Sequence, residues 1–131
     1  MTQILNLPQL AFSVATGTNE DWTDAWGFVD ASGNPISGAG ITLNMMLRRA
    51  ADDPEVQIVA SSVSGPVGGL QLNGSLSWGG VGLSVITLAI PASTMEGIPA
   101  GSYVAEVQAV AEGHVKTITV MVVTIVQGVV R

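Results

Sequence analysis

The chain has 131 residues, of which 47% are hydrophobic and only 11% are charged, and its net charge is −6. This length suits a single domain over residues 1–131 with a core of its own. Cysteine is absent, which excludes disulfides, thiol nucleophiles and Cys-ligated metals. Four basic residues without a basic stripe argue against nucleic acid as a partner. So low a charge content indicates that the surface is neutral and polar or is covered by partners.

The start of the chain predicts neither export nor membrane insertion. Residues 1–10 lack the basic start and long apolar run of a secretory signal. The most apolar stretch, residues 81–90, is too short to span a bilayer. We therefore expect no membrane span, and we interpret residues 1–8 as an extended N-terminal arm before the domain.

The first half of the chain shows a hydrophobic period of two with turn residues at short intervals, which is typical of a β-sandwich or barrel. Residues 9–15 and 22–30 are predicted strands. The turn chemistry of residues 30–35, Asp-Ala-Ser-Gly-Asn-Pro, predicts a hairpin from the second strand into the next segment. Residues 41–48 alternate cleanly and predict a strand with one core face. Residues 65–82 are rich in glycine and predict a flexible hairpin or a long functional loop.

The second half begins with residues 81–90, which are apolar on both faces of the predicted strand. This pattern predicts a buried central strand. A short helical turn is expected near residues 92–97, with Ser93 and Glu96 forming a capping box. Residues 103–111 and 114–126 predict a hairpin, because Glu112-Gly113 suits a two-residue turn.

Candidate catalytic and metal-binding groups are sparse. The single histidine, His114, follows the predicted hairpin turn and has only Glu112 as an adjacent carboxylate, so we interpret it as a solvated turn residue. Two acidic clusters, residues 20–24 and 52–55, lack the spacing of a calcium loop and are interpreted as solvated loops. The sequence therefore predicts a protein without enzymatic activity, with no catalytic residues, metal or cofactor.

The aromatic residues leave two interpretations open. Trp22, Trp26 and Trp78 are predicted interface or ligand contacts, since tryptophan anchors both protein interfaces and sugar-binding platforms. The glycines of residues 65–82 lack a phosphate-binding pattern and are predicted to serve turn geometry.

Two segments carry a resemblance to a known group of proteins. Residues 88–94 read Leu-Ala-Ile-Pro-Ala-Ser-Thr, and residues 98–107 read Ile-Pro-Ala-Gly-Ser-Tyr-Val-Ala-Glu-Val. With Asp24-Ala25-Trp26, the turn at 30–35, a strand ending at Arg48 and the final Val130-Arg131, the chain resembles small structural proteins of tailed phages. These are similar to the immunoglobulin-like N-terminal module of the phage baseplate upper protein. The glycine-rich segment around Trp78 departs from that pattern.

The resemblance implies an immunoglobulin-like β-sandwich of about seven antiparallel strands that acts as a structural subunit of the virion, at the tail, baseplate or head–tail region. Other virion proteins are the implied partners, with assembly in the host cytoplasm. Subunits of this kind work in symmetric copies, so we expect a homo-oligomer. A capsid decoration protein is the alternative within this class. A carbohydrate- or receptor-binding β-module using Trp22 or Trp78 is the alternative from another class.

Overall fold

The computed structural model describes residues 9–27, 40–50, 52–79 and 85–127. The proposed arm at residues 1–8 and the turn at 30–35 lie outside these ranges. The described residues form eight strands and one short helix, which we number in chain order. The strands are β1 Leu10–Gly17, β2 Trp22–Gly27, β3 Thr42–Arg48, β4 Ile58–Ser61, β5 Gly74–Gly79, β6 Val85–Ile90, β7 Gly101–Ala111 and β8 His114–Val126, and the helix is α1 Ala92–Met95.

The strands are hydrogen-bonded in the order β1-β8-β7-β3-β4-β5-β6-β2. Strands β2, β6 and β5 form one layer, and β1, β8, β7, β3 and β4 form the other. The two layers are joined by a short parallel pairing of β4 with β5, while β1 pairs in parallel with β8 and the other pairings are antiparallel. This order is that of an immunoglobulin-like sandwich, so the predicted fold class is confirmed. The expected count of about seven strands becomes eight.

The core lies between the two layers. It is built from every second residue of each strand, since these residues point inward. Strand β3 shows why the sequence dictates this arrangement, because Leu43, Met45 and Leu47 are each 0% exposed and alternate with residues that are only half-buried. Tyr103 from β7 and Met95 from α1 complete the core at the end where the helix lies. Burial of this alternating face supplies most of the driving force for folding.

The predicted C-terminal hairpin is confirmed, with β7 and β8 joined by Glu112 and Gly113. Both turn residues have positive φ, 51° and 78°. That is the two-residue turn whose twist matches a right-twisted strand pair. A β-bulge interrupts the register between Val107 and Gln108.

The hairpin predicted from the second strand into the third is wrong. Strand β2 pairs with β6, with Trp22 opposite Ile90, whereas β3 pairs with β4 and β7. Strands β2 and β3 therefore belong to different layers. The local turn chemistry was compatible with a hairpin. The packing of two apolar faces instead made β6 the partner of β2.

The helical turn predicted near residues 92–97 is confirmed as α1, but its predicted capping box is wrong. The residue at the N-cap is Pro91, which has no side-chain hydrogen bond to the helix. Instead, Asp21 from the β1–β2 loop accepts a 2.8 Å hydrogen bond from the Ala92 backbone N–H through Oδ1. A side chain distant in sequence thus satisfies a donor that the first turn leaves open.

The strand predicted over residues 81–90 is described as β6 from residue 85, and it is central as expected, between β5 and β2. The expected burial on both faces is wrong, because Thr87 on the outward side is exposed.

Candidate functional site

The three tryptophans of the sequence lie on the inward side of the layer formed by β2, β6 and β5. Trp22 is opposite Ile90, and Trp26 and Trp78 lie opposite Ile86 from either side. Residues opposite one another in an antiparallel pair point to the same face, and both isoleucines are buried. Trp22 is only 2% exposed, and Trp26 and Trp78 are partly buried hydrophobics packed against the core. The structure therefore brings them together as core residues of one layer, without an exposed aromatic platform.

Trp26 holds the two layers together at the end of the sandwich away from α1. Its ring packs edge-to-face on Phe12 of β1, with ring centroids 5.5 Å apart and an interplanar angle of 64°. Its indole Nε1 donates a 3.0 Å hydrogen bond to Thr119 Oγ1 of β8. Thr119 is 0% exposed, so both polar atoms are satisfied inside the core.

Three acidic residues of the two clusters noted in the sequence form hydrogen bonds that serve local structure. Asp24 Oδ2 accepts a 2.7 Å hydrogen bond from Trp22 Nε1, and Asp21 caps α1. Asp53 Oδ1 accepts a 2.9 Å hydrogen bond from the Glu55 backbone N–H, which closes an Asx turn. His114 is exposed at the start of β8. Within the described ranges, no three Asp, Glu, His or Cys residues come close enough to hold a metal ion.

Asn73 is an organising residue that the sequence analysis missed. Its side-chain Oδ1 accepts a hydrogen bond from Val59 N–H at 2.8 Å, and its Nδ2 donates to Gln57 O at 3.2 Å. Its backbone N–H donates to Val59 O, and its carbonyl accepts from Thr94 Oγ1 at 2.8 Å. Asn73 therefore extends the edge of β4 and ties it to α1. Its position directly before Gly74 was the available signal, since Asn-Gly marks irregular backbone.

The glycine-rich segment divides into a turn and a strand. Val67 and Leu70 exchange two 2.9 Å backbone hydrogen bonds around Gly68 and Gly69, whose φ angles are 56° and 82°. Residues 74–79 form β5, and residues 80–82 lie outside the described ranges. A Cβ at position 74 would collide with the end of the Ile90 side chain of the neighbouring strand β6, so a larger residue there would require that side chain to move.

Surface depressions on the described part of the chain lie beside α1 and on the outside of β3 and β7. One of about 240 Å³, beside α1, is lined by residues 96–100 together with Thr18 and Gln127. The other, of about 70 Å³, lies on the outside of β3 and β7 and contains Arg48 and Glu106. These two charged side chains can contact a polar partner, but the lining does not include the nucleophile and oriented base of a hydrolytic site.

The outward side of β1, β8 and β7 forms a broad surface with little charge, which we call the outer face. Glu106 is its one charged residue. Val122 and Val126 on this face are 50% and 56% exposed. The outer face consists of Ala11, Ser13, Ala15, Val104, Glu106, Val120, Val122, Thr124 and Val126.

The ends of the strand order, β1 and β2, differ in how they are protected. Strand β2 carries Asp24 on its inward side, opposite the buried Leu88, and an inward charge on an edge strand opposes pairing with other chains. Strand β1 has no charged residue and no proline along its eight residues, LAFSVATG. The outer face and this edge are the features of the described structure best suited to contact a partner.

No helix in the described residues is long and apolar enough to cross a membrane. No family model matches the chain, and no curated protein matches it. Among solved structures, the chain is similar to a marsupial T cell receptor, with a TM-score of 0.53 and 13% sequence identity over 91% of this chain. That match spans 50% of the receptor chain, so this protein corresponds to about half of its length. At this identity the similarity supports the immunoglobulin-like fold and nothing more specific.

Proposed function

We propose that this protein is a non-enzymatic structural subunit of a tailed-phage virion, at the tail, baseplate or head–tail region, and that it works through protein–protein assembly. In this proposal the chain folds in the host cytoplasm and is incorporated into the particle. Its sandwich is a rigid scaffold whose surfaces contact other virion proteins and other copies of itself.

The observation that carries the assembly role is the outer face. Of the five large hydrophobic residues exposed on the described part of the chain, three lie on β8, namely Val115, Val122 and Val126. Val122 and Val126 lie on the part of β8 that pairs with the uncharged β1, and Val115 lies on β8 beyond that pairing. Exposed apolar side chains grouped on one face are typical of protein interaction sites, because leaving them in water forgoes the free energy of burial.

The virion setting is supported by the resemblance of residues 88–94 and 98–107 to phage structural proteins. These segments correspond to the end of β6, helix α1 and the start of β7. They therefore share one corner of the sandwich, and their turn chemistry places Tyr103 in the core there. Outside the outer face, the surface carries most of the acidic residues. This distribution suits a subunit that contacts its neighbours through selected faces.

The proposal is tested on particles purified from cells that produce this chain. Quantitative mass spectrometry should find the chain at a fixed ratio to the major virion proteins, and cryo-electron microscopy should locate its density. A position on the capsid surface would assign it instead as a decoration protein. Detection of the chain solely in the unassembled fraction would contradict the proposal.

A matched pair of variants connects incorporation to the outer face. Val122 and Val63 are 50% and 52% exposed, but Val63 lies in the β4–β5 connection, away from this face. We expect Val122→Lys to reduce incorporation strongly, because a charged side chain must be desolvated in the contact. Val63→Lys should be incorporated like the unmodified chain. Equal incorporation of both variants would remove the outer face from the proposal.

A further inference from the structure

Strand β1 is hydrogen-bonded on one side alone within the described residues, to β8. Natural proteins protect such edges with charges, prolines, bulges or short strands, and β2 at the opposite end has its inward Asp24. Strand β1 has eight residues, regular pairing along its length, and neither charge nor proline. Within the described part of the chain, β1 is therefore a long, regular edge without protection.

The register shows which backbone groups of β1 are available. Thr18 donates its N–H to Val126 O at 3.0 Å, and Thr16 lies opposite Ile125. Along a strand, successive residues direct their N–H and C=O groups to opposite sides. Even-numbered residues therefore bond β8, whereas Ala11, Ser13 and Ala15 direct theirs away from it. These three form the β1 edge, and their side chains are exposed.

The inward side of β1 is also incompletely covered. Leu10, Phe12 and Val14 pack against the core but remain partly exposed, whereas the inward residues of interior strands such as β3 are 0% exposed. A further strand beside β1 would shield this row on its open side. Both the backbone and the apolar side chains of β1 would gain from one additional strand.

We propose that a second copy of this chain adds to β1 in antiparallel orientation, forming a twofold dimer with one continuous sheet across the contact. This dimer proposal rests on the proposed assembly role and specifies one partner, a second copy of the chain. Twofold symmetry requires two identical strands to run antiparallel, and it closes the assembly at two copies. Main-chain pairing of this kind is a general mode of protein recognition.

Side-chain parity restricts the register of this pairing. Opposite residues must share a face, because a shift of one residue would turn the inward row outward. The dimer axis therefore passes through a residue, and Ser13 fits best. Phe12 then lies opposite Val14 and Ala11 opposite Ala15, so an aromatic side chain meets a β-branched one, a favourable cross-strand pair. An axis at Val14 would instead place Phe12 opposite Thr16.

The size of the contact predicts its strength. Ala11, Ser13 and Ala15 form three hydrogen-bonded pairs across the axis, or about six backbone hydrogen bonds. At one hydrogen bond per 100–200 Å², these correspond to roughly 600–1,200 Å² of buried surface. That is the range of weak, specific contacts, so we expect dissociation in the micromolar range. Each copy carries a net charge of −6, so salt should strengthen the dimer by screening repulsion.

Sedimentation equilibrium over about 5–500 μM tests the dimer. The unmodified chain should rise from its monomer mass of 13.4 kDa toward twice that value. Ser13→Lys and Ser13→Pro should weaken association by about tenfold or more. The proline is compatible with the fold because the lost N–H points away from β8. Thr124→Lys is the matched control, since Thr124 is exposed on the same outer face but lies on β8, away from the edge.

A cysteine variant gives a second, independent readout in a chain that has no cysteine of its own. Two hydrogen-bonded partners have Cα atoms about 5.5 Å apart, within the range that a disulfide spans. Ser13→Cys should therefore form a covalent dimer on mild oxidation, and Thr124→Cys should not. This variant also decides the matter if Ser13→Pro fails to fold, which circular dichroism would show.

Several outcomes would overturn the pairing: a monomer at 500 μM, Thr124→Lys abolishing association while Ser13→Lys does not, or no preference of Ser13→Cys for the covalent dimer. Failure of the virion role is distinguishable from failure of the pairing. A chain that dimerises through β1 but is absent from particles contradicts the virion role alone. A chain present in particles that never dimerises contradicts the pairing alone.

Discussion

Trp22 Nε1 donates a 2.7 Å hydrogen bond to Asp24 Oδ2, so a carboxylate sits on the inward side of edge strand β2. The bond satisfies an indole N–H on a ring that is only 2% exposed. It also keeps a charge beside the open side of β2, where it opposes pairing with another chain. Strand β1 at the other end has no such residue, and in the proposed dimer this asymmetry restricts strand pairing to the β1 edge.

Replacing Asp24 should destabilise the fold. Asp24→Ala leaves the Trp22 indole N–H without its acceptor, at a cost of about 1–3 kcal/mol in the free energy of unfolding. Asp24→Asn keeps an oxygen acceptor and should lose less. Urea denaturation measures both, with Asp52→Ala on an exposed loop as control. Equal stability of Asp24→Ala and the control would show that the hydrogen bond contributes nothing.

Asn73 should be the most sensitive polar residue of the β4–β5 connection. Asn73→Ala removes the acceptor of the buried Val59 N–H and the donor to Gln57 O, so we expect a loss of about 1–3 kcal/mol. Asn73→Asp retains the acceptor and should lose less. Gln71→Ala, at an exposed position two residues earlier, should change stability by less than about 0.5 kcal/mol. The same denaturation experiment compares the three, and a reversed order would refute this role.

Tyr103 joins the start of β7 to the preceding corner. It is 1% exposed, its hydroxyl donates to Pro99 O at 2.5 Å, and the Arg49 guanidinium lies 5.0 Å from its ring centre. This is the arrangement known in immunoglobulin-like folds as a tyrosine corner. Tyr103→Phe keeps the ring but removes the hydrogen bond, and it should lower the free energy of unfolding by about 1–2 kcal/mol. An unchanged thermal midpoint would contradict this.

The β7–β8 turn offers a stabilising substitution. Glu112 has a φ of 51°, a conformation that costs most side chains energy but that asparagine tolerates. Glu112→Asn creates the preferred Asn-Gly turn and should raise stability by about 0.5–1 kcal/mol. Gly113→Ala, at a φ of 78°, should lower it by about 1 kcal/mol. Calorimetry should show thermal midpoints shifted in opposite directions, and shifts in the same direction would refute the assignment of strain.

Local signals predicted the local parts of this fold. The alternation over residues 41–48 determines the inward face of β3, and Glu112-Gly113 determines the C-terminal hairpin. Both depend on interactions between residues close in sequence. The same reasoning failed for β2, because its partner β6 lies more than fifty residues away and is selected by packing between apolar faces. The cap of α1 was missed for the same reason, since Asp21 comes from a distant loop.

The candidate interaction surface was less accessible to sequence reasoning. The alternation of β1 is visible in residues 10–17, but whether a strand lies at an edge depends on the whole strand order. The tryptophans were identified as anchors by residue type, and their position inside one layer required the register opposite Ile86 and Ile90. Composition left open whether the surface is neutral and polar or is covered by partners, and the exposed valines of β8 became apparent only from the structure.

Amide hydrogen exchange of β1 at two protein concentrations tests the central claim most directly. At about 10 μM the amides of Ala11, Ser13 and Ala15 should exchange quickly, while those of Phe12 and Val14, bonded to β8, should be protected. At about 1 mM the three edge amides should slow by about tenfold or more as the second copy covers them, and Ser13→Lys should abolish that slowing. Edge amides that exchange at the same rate at both concentrations would contradict pairing of β1 with a second copy.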